Sequence, residues 1–263
     1  MNPMIGKELQ QRMRERRGWI LPSVYLLVLG GVVAFAYFLA RENRTDVQGS
    51  SLGVTIFTTV VFAQLSLRLI LAPVFSSGAI TLEREQRTLP SLLTTLLSPL
   101  QIWWGKFAAS TLFVLLLLFV ALPVLSVSFA FGGVGPREVF MAVLNTLIAL
   151  TTVSLIGLFW SSVFRRSVYA TAVSYASVIG LAVVTAIIFF ILIAQKGSDN
   201  WDEIAVWKKL AIYFNPYALV TFGFAPTKLL YPEWVRSVCC FAGISLLCAW
   251  LTVRNLRNSD DNS

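Results

Sequence analysis

The chain has 263 residues, 57% of them hydrophobic and 13% charged, with a formal net charge of +8. A mean hydropathy of +0.75 excludes a soluble domain of this length, which would have too few polar residues to cover its core. Histidine is absent and Cys239, Cys240 and Cys248 share one apolar run, which excludes imidazole chemistry and a disulfide framework.

In chain order, residues 1–18 come first. Met4, Ile5, Leu9 and Met13 recur at helical spacing among Lys7, Glu8, Arg12, Arg14 and Arg16. This pattern predicts a short amphipathic helix on the membrane surface, or a basic anchor that fixes orientation. A bilayer-spanning helix needs roughly 20 apolar residues. Six runs qualify: 19–40, 53–77, 107–131, 139–164, 168–194 and 235–253. The first also imitates a signal peptide, with Ala34-Phe35-Ala36 as a cleavage site. Its apolar run continues to Ala40, longer than a signal h-region, so it is expected to stay as a span. The six runs are apolar nearly all round, so periodicity does not orient them.

Basic residues orient them instead. Lys7, Arg12, Arg14, Arg16, Arg17, Arg84, Arg87, Lys106, Arg165, Arg166, Arg254 and Arg257 all fall on one side if the N-terminus is inside. The short outer loops hold only Arg41, Arg44 and Arg137. The positive-inside rule then places both termini in the cytoplasm, and the expected location is a bacterial-type inner membrane. The positive charge is thus directed to topology and to anionic membrane lipids, with no nucleic acid implied.

The second span contains Gln64 and, one turn later on the same face, Arg68. An intramembrane arginine is expensive and faces protein, water or an interface. Two readings stand: a pathway-lining cation suited to an anionic cargo, or a side chain that snorkels or bonds carbonyls. All thirteen acidic residues lie outside the spans, so polar support is expected from Asn145, Thr146, Thr151 or Thr152 of the fourth span. Gln64, Arg68 and Asn145 are the candidate pathway-lining residues.

Between the second and third spans, residues 78–106 contain one dense charged group, Glu83, Arg84, Glu85 and Arg87, which is expected to extend the second span as a solvated helical tail. Thr88 and Pro90 suit the start of a short helix, Leu92, Leu93, Leu96 and Leu97 give it an apolar edge, and Ser98-Pro99 ends it. A leucine-edged knob with charged flanks suits insertion into a groove on a partner. The segment 195–234 before the last span is rich in interfacial aromatics, including Trp201, Trp207, Tyr213, Tyr217 and Trp234. Asn215-Pro216 stops a helix there, and "YALVTFGFA" is expected to dip into the outer leaflet as a re-entrant or interfacial element.

The stretch "TLEREQRTLPSLLTTLLSPLQIWWGK" resembles the cytoplasmic segment of ABC-2 type transporter permeases. Glu83, Arg84, Glu85, Thr88, Leu89, Leu92, Leu93, Ser98, Gly105 and Lys106 carry the resemblance. Arg87 stands where glycine is usual, Pro90 where glutamate is usual, and Pro99 follows the serine rather than preceding it. The resemblance implies that the knob, Leu96 included, is a coupling helix that docks on a separate ABC ATPase subunit. It also implies a pair of permease chains, identical or sister, forming the pathway.

The expected architecture is an all-α membrane protein: six transmembrane helices, an N-terminal interfacial helix, a short coupling helix and an outer element before the last span. No G-x-x-x-x-G-K-[ST] loop occurs, and Gly105-Lys106 is followed by Phe107, so the chain is expected to bind no nucleotide. ATP and Mg are then expected in the partner, and this chain is not expected to be an enzyme. The competing functions are a polytopic enzyme acting on lipid and an ion-coupled secondary transporter. Both ordinarily need polar or acidic groups that the spans do not supply.

Overall fold

The computed structural model describes residues 17–42, 49–86, 99–130, 132–196, 210, 212–224 and 231–260. The expected interfacial helix and most of the knob, residues 87–98, lie outside them. All the described elements are helices: α1 (Arg17–Glu42), α2 (Gly49–Ser76), α3 (Thr81–Glu85), α4 (Pro99–Ala130), α5 (Pro136–Val163), α6 (Ser167–Lys196), α7 (Pro216–Phe224) and α8 (Tyr231–Asp260). Six of these, all but α3 and α7, are long and apolar enough to cross a membrane. The molecule is a multi-pass all-α membrane protein.

The long helices alternate in direction, so the end of α2, α3, the start of α4 and the α5–α6 elbow meet at one end of the bundle, here the basal end. The α4–α5 turn, α7 and the start of α8 lie at the other, distal end. Gly132 and Gly133 make the α4–α5 turn with φ of 76° and 81°, a backbone region that side chains with a Cβ resist. Pro136 then opens α5, and Glu138 Oε2 accepts the Gly135 amide at 3.0 Å.

α5 is the hub and packs against α2, α4, α6, α7 and α8. Its buried face includes Ala142, Thr146, Ala149, Ser154, Gly157 and Ser161. Small residues let backbones come close where lipid supplies no hydrophobic drive between helices. The closest approach is at Gly157, where an added Cβ would lie 1.9 Å from Ser76 Oγ and 3.3 Å from the Ser77 amide of α2's end. α1 is the opposite case: Tyr25, Leu29 and Ala36 form a thin buried stripe, while Ile20, Leu27, Phe35 and Phe38 are exposed.

Two boundaries differ from the sequence reading. The third span's helix starts at Pro99, not near Phe107. Gln101 and Lys106 do not interrupt it, because Trp103 and Phe107, one turn apart, stack with centroids 5.6 Å apart and carry the helix through. Glu83 to Glu85 do not prolong α2. The chain turns at Ser77–Ile80, held by Ser77 N to Pro73 O at 2.9 Å and Ala79 N to Ser76 O at 3.2 Å, and restarts as α3.

Candidate functional site

The charged group after α2 is anchored on three sides. Glu83 Oε1 accepts from Lys106 Nζ of α4 at 2.9 Å. Arg84 Nη1 donates to the Phe164 carbonyl at the end of α5, at 3.2 Å. Glu85 Oε1 accepts from the Ser167 amide at 2.6 Å and from its hydroxyl at 2.9 Å, which caps the start of α6. A carboxylate there also suits the positive end of the helix dipole. Lys106 is only 5% exposed, so its carboxylate partner decides whether a charge is tolerable there.

Hydroxyls of α5 finish this anchorage, and the sequence reading did not single them out. Ile80 at the head of α3 offers no capping side chain. Ser161 Oγ replaces it by accepting from the Ile80 and Thr81 amides at 2.9 and 3.1 Å. Ser77 and Thr171 hydroxyls pair at 2.8 Å, and Asn255 Nδ2 of α8 donates to Ser162 Oγ at 3.1 Å. A serine inside an apolar run has no periodic signature; its only clue is the spacing of Ser161, Ser162 and Ser167 around Arg165-Arg166. Of the segment expected to couple, Glu83, Arg84, Glu85 and Lys106 come together here, and Gly105 is buried in α4 beside Lys106. Thr88, Leu89, Leu92, Leu93, Leu96 and Ser98 lie outside the described residues.

About two turns up α2, Arg68 is 2% exposed and does not snorkel. Its Nη2 donates to Gln64 Oε1 at 3.1 Å, and its Cζ lies 5.9 Å from the Tyr25 ring centroid. Arg68 Nε, Gln64 Nε2 and the Tyr25 hydroxyl are buried without a hydrogen-bond partner. Leu65, Leu69, Thr146, Leu150 and Val153 close one side and Val61, Leu118, Leu125 and Ala142 another, leaving no room for a water molecule. A charge at such depth costs at least about 2.5 kcal/mol. Among the described side chains, Glu83, Glu85, Glu138 and Glu233 all bond at the ends of the bundle, and none faces Arg68.

Asn145 does not join Arg68. Its Oδ1 accepts from Trp234 Nε1 of α8 at 2.8 Å, and an added Cβ on Gly223 of α7 would come within 2.0 Å of its Nδ2. Thr146, next along α5, faces Arg68 instead, because consecutive helical residues point about 100° apart. Thr151 and Thr152 bond the carbonyls of Leu147 and Ile148.

At the distal end, Asn215 Oδ1 caps α7 by accepting from the Tyr217 and Ala218 amides at 2.8 and 3.3 Å. Pro216 opens the helix, which buries Leu219 and Val220, while the Tyr217 hydroxyl pairs with Ser66 Oγ of α2 at 2.8 Å. The Tyr213 hydroxyl donates to Glu233, which also accepts from Arg236 at 3.0 Å. Burial and then the bond to Glu233 push the Tyr213 phenol up to about 12.

A family model described as ABC-2 family transporter protein matches residues 3–253. No curated protein matches the chain.

Proposed function

The chain belongs to the ABC-2 transporter family and is a membrane permease of an ABC transporter, and on that premise we propose that it couples to a separate ATPase subunit through residues 79–106. The basal end then faces the cytoplasm of a bacterial-type inner membrane, with both termini on that side. Two such chains, identical or sister, form the translocation pathway between them. ATP and Mg are bound by the ATPase, and this chain performs no chemistry of its own.

One observation supports this reading above the rest. The charged base of the segment bonds at once to the first turns of α4, to the last carbonyl of α5 and to the first amide of α6. A push on the segment is therefore delivered to three spans together, through short charge-assisted bonds rather than through a slack loop. The α5–α6 elbow receives it at Phe164 and Ser167, and Gly157 passes it to the α2–α5 contact.

The test is co-purification with the ATPase from membranes that express both chains. Glu85→Lys, which removes the cap of α6, and Leu92→Asp, which charges the apolar edge, are each expected to abolish recovery of the ATPase while the permease stays folded. A normal complex in both variants would end the docking role.

A further inference from the structure

We infer that Arg68, with Gln64 and Tyr25, is the seat of an anionic group, a phosphate or carboxylate, on the molecule this permease moves. The inference rests on the transporter reading above and names the chemical class that the reading leaves open.

Three features of the seat carry it. Arg68 is buried with a spare Nε–H, Gln64 holds a spare amide N–H, and the Tyr25 hydroxyl beside them has no partner. All three offer a proton, and among the described buried atoms without a partner Arg68 Nε is the one on a charged side chain, which makes the want of an acceptor most costly there. The acids on the page do not supply it, because Glu83, Glu85, Glu138 and Glu233 are bonded at the ends of the bundle. An incoming anion satisfies all three donors and neutralises the guanidinium; a neutral ligand leaves the charge uncompensated. The fork of an arginine also matches the paired oxygens of phosphate and carboxylate.

The seat is closed in this conformation, with no space for water around Arg68. Of the helices around it, α5 has no interior proline, but the other three are built to bend. α1, α2 and α4 each carry an interior proline, Pro22, Pro73 and Pro123. Pro73 has no amide proton to give the carbonyl of Leu69, which lines the seat. Bending at that break moves the Arg68 turn relative to α5 without breaking further backbone bonds. Entry and release of the anion are thereby tied to the helix that ends in the coupling segment.

The test uses the full chain, purified alone, in nanodiscs of phosphatidylcholine or of equimolar phosphatidylcholine and phosphatidylglycerol. Inorganic phosphate is titrated into the first, and thermal unfolding is the readout. Wild type is expected to be stabilised by at least one probe, and Arg68→Gln to weaken that response by roughly tenfold or more. Arg68→Lys, which keeps the charge, recovers part of it. A response to phosphatidylglycerol alone assigns a lipid headgroup, one to phosphate alone a dissolved anion, and one to both the shared chemistry. If Arg68→Gln yields no folded protein, Tyr25→Phe reads the same seat and is expected to weaken the response by a few fold. Indifference of wild type to both probes overturns the inference. So does an Arg68→Gln response equal to wild type, or, in its absence, an unchanged Tyr25→Phe. The ATPase is absent from this assay, so its outcome is separate from the docking result.

Discussion

Lys106 and Arg68 are both buried cations of one chain, 5% and 2% exposed, yet they are treated in opposite ways. Lys106 meets Glu83 at 2.9 Å. Arg68 meets the oxygen of Gln64 and the face of Tyr25. At the basal end Lys106, Glu83, Arg84 and Glu85 each have a complement: Arg84 has the Phe164 carbonyl and Glu85 has the head of α6. The Arg68 region is left with spare donors. A paired charge fixes geometry, whereas an unpaired one in a packed interior is a standing cost that folding alone does not explain.

The contrast is broken most directly by removing Lys106. Lys106→Met takes the Lys106 ammonium away from the half-buried Glu83 carboxylate, and we expect a loss of about 3 kcal/mol, read as chemical unfolding in detergent. The double variant Glu83→Gln/Lys106→Met is expected to recover much of that loss, since no charge is then orphaned. Next in size is Gly157→Ala. A Cβ 1.9 Å from Ser76 Oγ pushes α2 off α5, with an expected loss of about 1–3 kcal/mol by the same measurement. Ser161→Ala follows, leaving the Ile80 and Thr81 amides without an acceptor, for about 1–2 kcal/mol. Its sharper readout is ATPase coupling in the assembled complex, expected to fall further than stability does.

The smallest effect is at the distal end, where Glu233 is also paired. The Tyr213 phenol is raised from its ordinary 10 to about 12 by burial and by Glu233. Its protonated form is therefore favoured by folding. This contribution is whole below pH 10 and is lost as pH rises through about 12. A difference titration of tyrosinate absorbance between wild type and Tyr213→Phe should show the missing chromophore ionising near pH 12 rather than 10.

Much of this architecture is legible in the sequence. Long apolar runs with basic ends specify six crossing helices, and the i, i+4 spacing of Gln64 and Arg68 predicts the bond they make. The family resemblance rests on the order of residues from Glu83 to Lys106, with Thr88, Leu89, Leu92, Leu93 and Ser98 between them, and the family model covers the same stretch. The missed features share a physical cause. Helices apolar on every face carry no phase, so neighbouring polar residues were interchangeable on paper; Asn145 turned to Trp234 and Thr146 to Arg68. Ser161 acts on another helix's amides eighty residues away, a long-range use that spacing along the chain does not encode. The early start of α4 depended on Trp103 and Phe107 stacking over a polar stretch that read as loop.

The claim at the centre of this account is that Lys106 is spent on structure and Arg68 is held for a ligand. The most direct measurement is thermal unfolding of Lys106→Met and Arg68→Met side by side, in neutral lipid without phosphate. The account predicts opposite signs: Lys106→Met melts below wild type, and Arg68→Met melts at or above it because its removal orphans no acid. If Arg68→Met melts as far below wild type as Lys106→Met does, Arg68 is a structural residue like its basal counterpart and the account is contradicted.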